Sequence, residues 1–83
     1  MNSERMIIRI LGEAVVSGRF ISVDFVKMNG ELRTMVCKVD SRALDRLDKD
    51  IVTVFDVQKG GYRSFNINSV IYLSHDGRLT AAF

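Results

Sequence analysis

The sequence has no proline, one cysteine and one histidine. Each scarcity excludes something. Without proline, strand edges lack one of the usual blocks to pairing with another chain. Cys37 alone permits no internal disulfide and no cysteine metal cluster. It lies in an apolar alternation, where a thiol acts as a small buried hydrophobe. His75 has no second His or Cys to join it around a metal, and Asp40, Asp45, Asp48 and Asp50 match no calcium-loop spacing. No metal is therefore expected. An excess of one charge is also missing. Twelve basic and 10 acidic residues leave a net charge of +2, which permits a nucleotide or nucleic-acid partner but is less basic than a dedicated duplex-DNA binder and excludes an acidic DNA mimic. Long apolar runs are absent as well. The opening MNSERMIIRILGEAVVSG is interrupted by Glu4, Arg5, Arg9 and Glu13, which predicts neither a membrane span nor a signal peptide, and hence a soluble cytoplasmic protein.

The 83 residues make one small domain, 47% apolar and 27% charged, a balance that folds. A chain this short buries only about 60–65% of its unfolded surface, so a homo-oligomer is expected to add stability. Met6, Ile7, Ile10, Leu11, Ala14 and Val15 fall at helical spacing, predicting a helix over about 3–17 with a cap at Asn2 or Ser3. Gly18 follows, in the left-handed conformation that ends helices.

Beyond Gly18 the period changes from helical to alternating. FISVDFVK (20–27) and LRTMVCKV (32–39) flank Asn29-Gly30. A two-residue loop would place Phe25 opposite Thr34 and split the apolar residues between two faces. A three-residue loop, Met28-Asn29-Gly30, pairs Val23 with Met35 and Ile21 with Cys37, gathering all of them on one face. The second register is the expected one, with Gly30 at positive φ. DSRALDRLDKD (40–50) is a polar connection in which Asp40 or Ser41 caps a short helical turn and Leu44 and Leu47 point inward. Ile51–Val57 and Tyr62–Ile67 form a second hairpin. With Gln58–Gly61 as its loop, Asp56 faces Arg63, Val54 faces Phe65 and Val52 faces Ile67. Val70–Leu73, a His75-Asp76-Gly77 turn and Arg78–Phe83 complete the chain. The expected fold is mainly β with one N-terminal helix: a small SH3-like or Sm-like barrel of about five or six short antiparallel strands.

The candidate site follows from the second hairpin. Arg63 offers a planar donor fork to a phosphate, or pairs across the strands with Asp56. Arg33 starts its strand in the inward register and reaches the same rim if the barrel closes suitably. Tyr62 lies on the outer face, where an aromatic stacks a base or simply satisfies β-propensity. Lys59 at the loop tip steers anions, and Gly60-Gly61 lets a phosphate approach backbone amides or only makes the turn. No Ser/His/Asp or Cys/His set, P-loop or dinucleotide-binding turn is present, and nothing pairs Asp24 with Asp56 as acid and base. Neither catalysis nor a cofactor is expected.

A helix ending in SG, then RFISVDFVKMNGELRTM, then VFDVQKGGYRSFNINSVIYL, resembles the SH3-like barrel of the WYL domain. Val54-Phe55-Asp56 sits at that family's "AyD" and Arg63-Ser64-Phe65 at its "RxF". The pattern departs at the signature Trp-Tyr-Leu, where Asp50-Ile51-Val52 stands, and at the second arginine, which falls on Ser69. The same runs are similar to small bacteriophage SH3-barrel proteins, and the likeness spans roughly residues 14–73. It implies a phage-encoded sensing module, in the host cytoplasm, whose basic residues touch an anionic partner. Two functions are therefore expected as alternatives. One is binding of a nucleotide, a nucleotide second messenger or single-stranded nucleic acid. The other is docking on a host enzyme or defence protein through the apolar helix or an open strand edge.

Overall fold

A computed structural model describes residues 3–81, with side chains from Arg5 onward. The helix α1 spans Ser3–Ser17 and the strands are β1 (Phe20–Val26), β2 (Leu32–Lys38), β3 (Ile51–Asp56), β4 (Gly61–Asn66), β5 (Val70–His75) and β6 (Arg78–Ala81). The side-chain cap expected at Asn2 or Ser3, and the last two residues of the expected final strand, lie outside the described residues. The six strands make one antiparallel sheet in the order β4-β3-β2-β1-β5-β6. The fold is thus mainly β with a single N-terminal α-helix, as expected.

α1 packs its Ile7, Leu11 and Ala14 into the same core as the inward residues of the strands, with Ile8, Ile10 and Val15 partly buried beside them. Most of the helix's apolar stripe is consequently covered; Met6 and Val16 are its exposed large apolar residues. Gly18 stops it, at φ 72°, with its N–H donating to the carbonyl of Ala14 at 3.0 Å.

The first hairpin has the expected register. Ile21 pairs with Cys37, Val23 with Met35 and Phe25 with Arg33, and Gly30 takes φ 88° in the loop. The second differs from expectation by two residues. Asp56 lies opposite Gly61, Val54 opposite Arg63 and Val52 opposite Phe65. A shift of two preserves which face each side chain occupies, so apolar alternation does not distinguish the registers. Asp56 does: its carboxylate accepts the N–H groups of Gln58 and Lys59, both at 3.0 Å, and its carbonyl accepts from Gly60 at 2.8 Å. These bonds close the turn at 57–60 instead of 58–61. The 40–50 connection also needs correction. Asp40 caps a 3₁₀ turn over Ser41–Leu44 as expected, but Ala43 is the residue buried there, while Leu44 is 39% exposed and Leu47 only partly buried.

The sheet is strongly curled. Phe25 on β1 and Phe65 on β4 are separated by two intervening strands, which in a flat sheet puts them about 14 Å apart (three spacings of ~4.8 Å). Their rings stack with centroids 5.4 Å apart. A register shift between β1 and β5 at Asp24/Phe25 adds to the bend. Phe25 and Phe65 therefore meet across the interior of the curl. Because β2 and β3 share a ladder only at Cys37 and Lys38, the two hairpins diverge beyond that seam and leave an opening between them.

Candidate functional site: an arginine-lined groove

The opening is a groove of about 1110 Å³ between the β1–β2 hairpin and β4. Phe25 and Phe65 line it, Lys27, Asn29 and Arg33 flank one side, and Arg63, Ser64 and Asn66 flank the other. Among the described residues its lining carries three cations and no acidic side chain.

Asp56 organises its wall. This residue is 1% exposed, the one buried charged residue among those described. Its Oδ1 accepts the two turn N–H groups, and its Oδ2 accepts a hydrogen bond from Nη2 of Arg33 at 3.2 Å and forms an ion pair with Nε of Arg63 at 3.3 Å. A buried carboxylate is tolerable only when paired and hydrogen-bonded in this way. The arrangement leaves one net positive charge. The guanidinium edges not turned to Asp56 still carry donors, five N–H groups per arginine being available in all. Arg33 is 25% and Arg63 46% exposed at the side chain, so both reach solvent from a fixed base.

The structure thus brings Arg33 and Arg63 to one carboxylate, and the pair reaches it by different routes. Arg33 comes from β2 across the seam. Arg63 comes diagonally along β4, not from the position directly opposite Asp56, which Gly61 occupies. The other expected site residues stand apart. The Lys59 and Gly60 amides already donate to Asp56, so they do not form an open cradle for a phosphate, and Lys59, Gly60 and Gly61 do not line the groove. Tyr62 borders the groove, but its ring is engaged on the outer face. Its hydroxyl donates to Asp40 at 2.8 Å, the Arg42 guanidinium lies 4.1 Å over the ring, and Phe55 meets it edge-on at 5.4 Å. That hydrogen bond holds the Asp40 carboxyl below its ordinary range and raises the Tyr62 phenol. Sequence reading missed Lys27 and Asn29 as groove residues; the Asn-Gly turn beside them was a signal for the hairpin but not for what the hairpin faces.

Cys37, on β2 beside Asp56, is buried. Burial, and then the charge of Asp56, pushes its thiol up to about 12 from 9.0. The thiol therefore stays protonated and unreactive near neutral pH. In the folded state the proton is held more tightly than in the unfolded chain. The associated stability is complete below pH 9 and is lost as pH rises toward 12, at a rate on the order of 1 kcal/mol per pH unit. Thiol alkylation of the native protein should accordingly be slow and follow global unfolding, and a Cys37→Ala variant should lose this alkaline slope in urea titrations. Rapid alkylation of the folded chain would contradict the burial.

Fold and site together define a small curled β-sheet domain with a cationic groove built on one buried aspartate. Comparison of the chain with family models, with curated proteins and with solved structures gives no match. Among the described residues no helix is long and apolar enough to cross a membrane, and no group of His, Cys, Asp and Glu is arranged to hold a metal ion.

Proposed function

We propose that this chain is a non-catalytic binding module for an anionic ligand with a flat or apolar body: a nucleotide, a nucleotide second messenger or single-stranded nucleic acid. One observation carries the reading. Two arginines from different strands are anchored on one buried carboxylate behind the wall of a groove that, among the described residues, is lined by no acid. An anion placed there meets preset guanidinium forks, with little side-chain entropy left to lose. Phe25 and Phe65 at the base of the groove, with the exposed Val26 and Met28 at its edge, give the rest of the ligand an apolar surface, and Lys27 adds a third positive charge. The likeness of the VFD and RSF runs to WYL-domain and phage SH3-like barrels supports the same reading.

The test is fluorescence anisotropy with labelled oligonucleotides and nucleotides at several salt concentrations. Arg63→Ala and Arg33→Ala should each weaken binding by about 10–100-fold, as expected for loss of a charge-assisted hydrogen bond of ~1.5–3 kcal/mol. Oligonucleotide binding should weaken steeply with salt. Arg63→Lys retains charge for Asp56 but loses the planar fork, and should recover only part of the affinity. Wild-type binding by Arg63→Ala would remove the groove from consideration.

A second reading rests on an apolar cluster at the edge of the same groove. Val26, Met28 and Leu32 are exposed together around the β1–β2 turn, Met28 completely. Such a cluster suits docking on a host enzyme or defence protein, or on a second copy of the chain, better than the largely covered helix does. Met28→Glu with Leu32→Glu should abolish a protein contact of this kind. Retention of the contact would locate it elsewhere.

A further inference from the structure

We propose that a second, smaller cleft, between α1 and the β5–β6 hairpin, binds a hydrogen phosphate group, free or as a phosphomonoester. The cleft has a volume of about 130 Å³ and lies away from the groove, sharing no lining residue with it. Its polar lining is Arg9 and Glu13 from α1, His75 from β5, and Arg78 and Thr80 from β6. Three features converge there. First, Nε2 of His75 is sealed from solvent and has no hydrogen-bond partner, which is uncommon for a buried polar atom and needs an explanation. Second, neither Arg9 nor Arg78 has an ion-pair partner among the described residues, although both belong to the wall of one cleft. Third, the geometry is local and firm. Arg9 and Glu13 are one helical turn apart on the same face of α1. His75 pairs directly with Arg78 across the Asp76-Gly77 turn, whose residues both take positive φ, 54° and 81°. Thr80 follows Arg78 on the same face of β6.

The chemistry selects the ligand class. At about 130 Å³ the cleft suits a small tetrahedral oxyanion better than a nucleotide-sized ligand. Arg9 and Arg78 supply donors for its charged oxygens and the Thr80 hydroxyl gives another; His75 Nε2, covered in the unliganded chain, takes or gives one further hydrogen bond according to tautomer once a lining side chain turns aside to uncover it. Glu13 is the discriminating group. As a carboxylate it repels a fully deprotonated oxyanion, but it accepts a hydrogen bond from the O–H that inorganic phosphate retains near neutral pH, that a phosphomonoester retains only below its second pKa of about 6, and that sulfate lacks.

The experiment is titration of the full chain with inorganic phosphate, glycerol phosphate and sulfate, followed by NMR at the His75 ring and by calorimetry. Phosphate should shift the His75 resonances, and His75→Gln and Arg78→Gln should each lower its affinity about tenfold or more. Arg63→Ala should leave the phosphate-induced shift of the His75 resonances unchanged, which separates this cleft from any phosphate binding in the groove. Glycerol phosphate binding as well as phosphate would identify a phosphomonoester as the ligand form; binding of inorganic phosphate alone would identify the free ion. Sulfate should bind more weakly, and Glu13→Gln should narrow the difference. Unmoved His75 signals, wild-type affinity in Arg78→Gln, loss of phosphate binding in Arg63→Ala alone, or equal binding of sulfate would each overturn the proposal.

Discussion

Phe65→Ala is expected to lower the unfolding free energy by about 3–5 kcal/mol, the usual cost of removing a buried aromatic side chain. Phe65 is 5% exposed and stacks on Phe25, so truncation leaves a cavity where the curled sheet meets itself. In an 83-residue domain that is a large share of the total stability, since such domains are held by only ~5–15 kcal/mol. Urea unfolding measures the loss. A cycle with Phe25→Ala adds a sharper result. No ladder joins β1 to β4 among the described residues, and these rings bring the two strands into contact. The two substitutions should be non-additive by about 0.5–1.5 kcal/mol, the excess typical of an aromatic pair. Additive losses would show that the ring contact does not hold the curl.

Asp56→Ala is expected to lower the thermal midpoint by roughly 12–24 °C. Removing one partner of a buried ion pair costs about 3–5 kcal/mol. The lower end applies here because Arg33 and Arg63 are partly exposed and regain water when the carboxylate is removed. At ~4–8 °C per kcal/mol for a domain of this size, about 3 kcal/mol gives the stated range. Much of the loss comes from the turn, where the Gln58 and Lys59 amides no longer have their acceptor. Asp56→Asn retains an oxygen for those amides and removes only the charge, so it should lie between wild type and alanine. Differential scanning calorimetry of the three proteins gives the order. A midpoint for Asp56→Ala within a few degrees of wild type would mean that the carboxylate does not organise the turn and the arginines.

The two residues also mark where sequence reading succeeded and where it did not. Phe65 was legible as core because it lies in phase with the apolar side of β4. Asp56 was legible as a partner of Arg63 but not as the residue that sets the hairpin register. Period-2 alternation is unchanged by a shift of two, and only the side-chain bonds to Gln58 and Lys59 separate the two loops. Leu44 was expected inside on its hydrophobicity alone, whereas the tight 3₁₀ turn presents the small Ala43 to the core. The Arg9–His75–Arg78 cleft had no local signal at all, since its residues come from both ends of the chain.

The features legible in the residues alone are local and periodic: a helix that stops at Gly18, a first hairpin in register around Asn29-Gly30, and alternating strands that must bury one face. These follow from φ/ψ preferences and from the two hydrophobic periods, which act over a few residues. That Arg33 and Arg63 share one carboxylate, and that Phe25 meets Phe65, is a product of long-range packing. Those contacts depend on the short β2–β3 seam and the degree of curl. Both are set by packing among residues far apart in the chain, and no spacing within a single strand encodes them.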